Sequence, residues 1–151
     1  MHSATKAAAA CAAAGVKVYA LNQMLFENTS LARLRLQGWL VENAMFSHNG
    51  QVVICTLPKA VETELGLTED DLENISGFPR SIEGVKVAAT LREGDDGKTK
   101  ISVRAVPGCN AAAICQRFGG GGHAGAAGAS LPLPLQEAAG VVLQAINEEI
   151  E

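Results

Sequence analysis

Val18, Leu21 and Leu25, then Leu31, Leu34, Gly38 and Val41, fall at intervals of three and four residues. That spacing predicts two amphipathic helices broken near Asn28 to Ser30, with Ser30 as N-cap of the second. Leu36, Trp39 and Leu40 widen the apolar face of the second helix, so it is expected to lie between two layers. Ahead of them the alanine-rich stretch predicts a further helix, capped by Ser3 and stopped by Gly15. From Ala44 the period shortens. Met45 to His48, the turn dipeptide Asn49-Gly50 and the run Gln51 to Leu57 predict a β-hairpin. Pro58 then opens a short helix, and Thr68, followed by Glu69, Asp70 and Asp71, opens another whose acids belong to its first turn.

A loop over Ser76 to Ser81 leads into a second hairpin, whose register follows from its alternation. Val85, Val87, Ala89 and Leu91 on one strand and Ile101, Val103 and Ala105 on the other share a face only under one pairing. A loop of Asp95, Asp96 and Gly97, with Gly97 at positive φ, sets Leu91 opposite Ile101, Arg92 opposite Lys100 and Ala88 opposite Arg104. The other face is then polar and basic. Like charges opposite one another weaken a ladder, so Arg92 against Lys100 fits either an anion-binding face or a solvated one. Asn110 caps a short helix carrying Ala111, Ile114 and Phe118, and residues 123–129 are small enough for one tight helical turn. Leu135, Ala139, Val142, Ile146 and Ile150 form the stripe of a last helix that packs on the sheet, its glutamates toward solvent. The expected class is therefore α/β in the α+β sense: a mixed β-sheet with hairpins, covered by helices and preceded by an N-terminal helical segment.

The length of 151 residues suffices for one domain, or for one domain with an appendage, and 48% hydrophobic with 19% charged residues describe a soluble globular chain without a membrane partner. Cys11, Cys55, Cys109 and Cys115 lack C-x-x-C spacing, which argues against a zinc knuckle or disulfide framework and for a reducing, cytoplasmic setting. With a net charge of −4, any nucleic-acid contact has to rest on a local cluster of Lys and Arg, which favours small or single-stranded ligands.

Candidate chemistry concentrates in Phe118 to Ala129, F-G-G-G-G-H-A-G-A-A-G-A. Glycines without Cβ let a phosphate approach the backbone, with helix-turn amides aimed at it; a turn or linker is the rival reading.

Taken in order, T-L-R-E, K-I-S-V-R-A and N-A-A-A-I-C-Q-R-F-G-G-G-G-H-A-G-A-A-G-A resemble the DHH-associated C-terminal domain of DHH-family phosphoesterases. Within that superfamily the likeness is to the bacterial nanoRNase type, which degrades very short RNA and dephosphorylates adenosine bisphosphate. The resemblance implies a division at residues 1–29, the helical tail of a catalytic DHH domain and connector, and 30–151, the substrate-binding associated domain. It implies substrate-binding roles for Gly119, Gly120, Gly121, Gly122, His123, Arg104 and Arg92; Ser102, Arg80, Lys86 and Lys100 stand beside them as secondary candidates for substrate binding. The implied partners are short single-stranded RNA or a phosphorylated nucleotide, and the N-terminal DHH domain; a homodimer is left open.

The resemblance also implies manganese, held elsewhere by aspartates and a D-H-H triplet. This chain carries no such triplet, and its aspartates are two pairs, Asp70-Asp71 and Asp95-Asp96, while His2 and His48 are isolated. No catalytic or metal-binding residue is therefore expected in it, and the Met1-His2-Ser3 start fits a partial chain that is inactive alone. Two alternatives stand beside this: a cyclic-dinucleotide phosphodiesterase or single-strand exonuclease of the same superfamily, and a non-catalytic nucleic-acid-binding module like the related appendage of alanyl-tRNA synthetases.

Overall fold

The computed structural model describes residues 2–150, without the side chains of 2–5 and 24–26. The chain divides into two compact units, Met1–Leu31 and Ala32–Glu151. The first contains helices α1 (His2–Ala13) and α2 (Val18–Phe26). Gly15 ends the alanine run at φ 80°, as expected, whereas the cap assigned to Ser3 and the packing of Leu25 lie outside the described residues.

The second unit is built on six strands: β1 (Met45–Ser47), β2 (Val52–Leu57), β3 (Val87–Glu93), β4 (Thr99–Ala105), β5 (Gly121–His123) and β6 (Ala126–Leu131). Their order is β1-β2-β3-β4-β6-β5. Only β2 and β3 run parallel; the other neighbours are antiparallel, so the sheet is mixed. A parallel pair requires a crossover, and residues 58–86 supply it through α4 (Lys59–Glu64), α5 (Glu69–Leu72) and two 3-10 turns, Ile75–Gly77 and Pro79–Ser81. Helix α3 (Leu31–Glu42) precedes the sheet, while α6 (Ala111–Gln116) and α7 (Leu135–Ile150) follow β4 and β6.

The two faces of the sheet differ. On one, Ile54, Ala89, Leu91, Ile101 and Val103 pack under α6 and α7 in a continuous core with Ile114, Val142 and Ile146. Strand pairing sends Val53, Cys55, Leu57 and Ala88 to the other face, where they meet Leu36 and Leu40 of α3, Val61 of α4, Leu72 and Ile75. That second core covers only the β2 and β3 half. Over β4, β6 and β5 the same face is open, because its side chains are Lys100, Ser102, Arg104, Ala126, Gly128, Ser130, Gly121 and His123, none fully buried.

Several expectations change here. Val85 precedes the strand and joins the core beneath α3, not the face of Val87. Ala88 and Thr90 are buried at 0% and 3% exposure, so only the β4 half of the polar hairpin face is open. Helix α3 buries Leu36 and Leu40 but leaves Leu34 and Val41 about half exposed, so the second unit covers one side of it, not two. The first hairpin closes at Ser47 and Val52 around a four-residue loop in which His48, Asn49 and Gly50 all take positive φ. Residues 123–129 form no helical turn. They make a hairpin, His123 pairing with Ala126 and Gly121 with Gly128: a single helical turn does not repay the cost of nucleating it, and Gly125 and Gly128 weaken it further.

Candidate anion-binding site

The register of β3 and β4 is the one the alternation requires: Leu91 pairs with Ile101, Arg92 with Lys100 and Ala88 with Arg104. Gly97 closes the loop at φ 72°. Because directly paired residues point the same way, the sheet presents lateral rows on its half-open face. One runs Ala88, Arg104, Ala126, His123; the next Thr90, Ser102, Gly128, Gly121; the third Arg92, Lys100, Ser130. Strands lie about 4.8 Å apart, so Arg104 and His123 flank Ala126 at a Cα separation of roughly 10 Å. Between basic ends, the floor is glycine and alanine.

Beside this floor, where the crossover passes over the hairpin, lies a cavity of about 230 Å³. Arg92, Lys100 and Arg104 line it together with Thr90, Ser102, Ser76 and Asn74, and Leu72 and Ile75 complete the wall. Three cations, three hydroxyls and an amide converge with no carboxylate among the lining side chains, which is the donor set of an anion site. Asn74 reaches the rim with φ 57°, a left-handed conformation that asparagine tolerates better than most residues. The acids Glu69, Asp70 and Glu73 lie in an adjoining hollow that shares Leu72 and Arg92, so Arg92 stands on the boundary between negative and positive surface. Thr68 and Asp71 form a reciprocal capping box, and Arg33 donates to the carbonyls of Asp70, Asp71 and Glu73; this explains part of the acidic run structurally.

Glu62 is the site residue that sequence reading missed. Its carboxylate is almost wholly buried and accepts from Arg92 Nε at 3.1 Å through one oxygen and from Lys59 Nζ at 3.2 Å through the other. Lys59 continues the chain to Asp95 at 2.9 Å, and this pairing, with Glu62, raises the Lys59 ammonium above its ordinary pKa while lowering that of Asp95. The Glu93 carboxylate accepts from the Lys59 amide, tying the end of β3 to the start of α4. A buried charge needs a partner, which relieves the repulsion of Arg92 opposite Lys100. No sequence signal places Glu62 there, since one glutamate in a short helix ordinarily faces solvent.

The four glycines do different work. Gly119 takes φ 73° after α6, and the amides of Gly119 and Gly120 donate to the carbonyls of Gln116 and Cys115. Those are the two bonds of a Schellman closure. These two amides therefore finish a helix. Gly120 and Gly122 lack Cβ because β6 leaves no room: a Cβ would lie 2.2 Å from the Gly128 carbonyl oxygen in the first case and 2.6 Å from that of Ala126 in the second. Gly121 alone combines pairing in β5 with open space where its Cβ would project.

Of the other candidates, His123 is exposed on the edge strand, and Lys100 and Ser102 line the cavity. Arg80 and Lys86 are exposed and do not line it. No group of three His, Cys, Asp or Glu side chains among the described residues could hold a metal ion. Nor is any described helix long and apolar enough to cross a membrane.

The comparisons with known proteins agree with this architecture. The chain is 36% identical over 117 residues to the bifunctional oligoribonuclease and PAP phosphatase NrnA of Thermus thermophilus, covering 77% of this chain and 34% of that protein. It thus spans about a third of the length of its curated relative. The structure of an exopolyphosphatase-related protein from Bacteroides fragilis superposes with a TM-score of 0.80 at 27% identity, covering 89% of this chain and 39% of the other. A pGpG-specific phosphodiesterase from Vibrio, PggH, shares the fold alone, with a TM-score of 0.53 at 12% identity over 78% of this chain and 40% of that one. The DHHA1 domain model matches residues 49–151, from the first hairpin through α7, and the chain belongs to the DHHA1 domain family.

Proposed function

We propose that this chain is the substrate-holding part of a DHH-type phosphoesterase acting on short oligoribonucleotides and on adenosine bisphosphate, with residues 1–29 as the tail of the catalytic domain and connector. The observation that carries this reading is the convergence of Arg92, Lys100 and Arg104 on one carboxylate-free cavity beside a glycine and alanine floor. Arginine's planar fork matches phosphate oxygens, and a flat small-residue floor leaves room for a base. His123 closes the far end of that floor. Gly121 would lie under the substrate, while Gly119, Gly120 and Gly122 shape the hairpin that carries it.

Manganese does not fit the described residues of this chain. Asp70 and Asp71 belong to a helix start, Asp95 pairs with Lys59, and His48 lies in the loop of the first hairpin while His123 ends β5. The metal and the bond-breaking step are therefore assigned to a D-H-H domain outside the residues described. This part would contribute by positioning, holding phosphate and base where the reacting centre can reach them.

The test is titration of the 151-residue chain with trinucleotide RNA, adenosine bisphosphate and cyclic di-adenylate. Trinucleotide and bisphosphate are expected to bind more tightly than the cyclic dinucleotide, with the affinity weakened by Arg104→Ala. Equal affinity for all three, indifferent to that change, would overturn the reading. Metal-dependent turnover by this chain alone would overturn the division of labour.

A further inference from the structure

We propose that the cavity between the Ile75–Gly77 turn and the β3-β4 hairpin, with Arg104 on its wall, is a subsite for a terminal phosphomonoester, distinct from the glycine and alanine floor that runs on to His123. The proposal rests on the nucleotide-binding reading above and adds to it which part of a substrate enters the cavity. Thr90 supplies the first observation. It lines the cavity at 3% exposure, and its Oγ1 has no hydrogen-bond partner among the described residues. A buried hydroxyl without a partner costs free energy, and a ligand oxygen would provide the missing bond.

Arg92 supplies the second. Glu62 holds its Nε, and no other bond of this guanidinium is made among the described residues, so both Nη groups remain for a ligand. Glu62 is thus a positioning residue: it fixes the stem of the fork and leaves the tines free. The third observation is charge. Glu62 offsets one cation, while Lys100 is exposed and makes no ion pair among the described residues, so the cavity keeps a positive excess suited to a dianion.

The donor count favours a monoester over a diester. A terminal phosphoryl group offers three unsubstituted oxygens, and Thr90, Arg92, Lys100, Ser76 and Asn74 surround the space where they would lie. A diester offers two and must leave by two exits, whereas Leu72 and Ile75, both buried, close the crossover side of this cavity. A substrate with its terminal phosphate here would lie along β4 with its next phosphate or base over Ser102, Arg104 and the glycine floor.

The test uses the intact chain and three trinucleotides: one with a 5′-phosphate, one with a 3′-phosphate and one with hydroxyls at both ends. One phosphorylated form is expected to bind about tenfold tighter than the hydroxyl form, the scale of one charge-assisted contact. In Arg92→Ala that ratio falls to about one. Since Arg92→Ala removes one of the two partners of buried Glu62, Thr90→Val is the second variant: it keeps shape, removes an unpartnered hydroxyl and is expected to fold normally while lowering the ratio. Binding of all three forms with a ratio near one in the unaltered chain overturns this inference and leaves the nucleotide reading standing. A ratio that survives both substitutions also overturns it. Failure of every trinucleotide to bind overturns the parent reading and this one with it.

Discussion

Arg92 Nε donates to Glu62 Oε1 at 3.1 Å, joining the last turn-ward residue of the polar row on β3 to a buried carboxylate on α4. The pair links the floor of the cavity to the crossover that roofs it, so position and charge of the guanidinium are set together. A double-mutant cycle over Glu62→Ala, Arg92→Ala and the double variant is expected to give a coupling of about 1–3 kcal/mol in denaturant unfolding. Additive effects would show that the pair is a surface contact with no energetic link.

The distribution of what was legible follows from chemistry. The β3-β4 register could be read because alternating apolar residues permit one pairing, and Asn110 and Thr68 could be read as caps because their side chains bond the amides of Ala113 and Asp71. The β5-β6 hairpin could not: Gly and Ala carry no alternation of polarity, so its register is set by close approach of two backbones. Glu62 was illegible for another reason. Its burial depends on a neighbour 30 residues away, which the local pattern of α4 does not contain.

The glycines separate fold from binding. Gly120→Ala and Gly122→Ala each force a Cβ into β6, and Gly122 also has φ 147°, so each is expected to cost about 1–3 kcal/mol and shift the unfolding midpoint. Gly121→Ala projects into open space and should change stability by less than about 1 kcal/mol. Its effect is expected on trinucleotide affinity, because the added methyl rises from the floor. Equal destabilisation by all three would refute the assignment of separate roles.

Burial pushes the thiols of Cys55 and Cys115 up to about 11, with the charge of Arg104 opposing slightly at Cys115. At neutral pH both stay protonated, so a thiol reagent is expected to label exposed Cys11 and half-buried Cys109 first, with Cys55 and Cys115 reacting on unfolding. The sign of the linkage is fixed. A thiol whose folded pKa exceeds its unfolded value of about 8.5 contributes stability that is complete below pH 8 and lost as pH rises toward the folded value. Chemical denaturation from pH 8 to pH 10.5 should therefore show falling stability, lessened in Cys55→Ser once its own packing cost is subtracted. A flat profile would contradict the burial of both thiols.

His123 and Arg104 flank Ala126 in one lateral row, yet they should fail in different ways. Arg104 carries charge into the cavity and donates to the Val103 carbonyl, so it meets a ligand with its remaining donors. Arg104→Ala is expected to flatten the dependence of log affinity on log salt by up to about 0.7, the loss of one phosphate contact to a single strand. His123 stands on an exposed edge strand beyond Ala126, where a base lying on the floor would meet the flat imidazole. Stacking tolerates any aromatic ring, so His123→Phe should keep affinity within about twofold, while His123→Ala loses about 1–3 kcal/mol per base with the salt slope intact. If His123→Gln binds as well as the original and His123→Phe does not, the residue donates a hydrogen bond to phosphate and the base lies elsewhere. The salt slope decides independently, since a lost phosphate contact must flatten it and a lost stack must not.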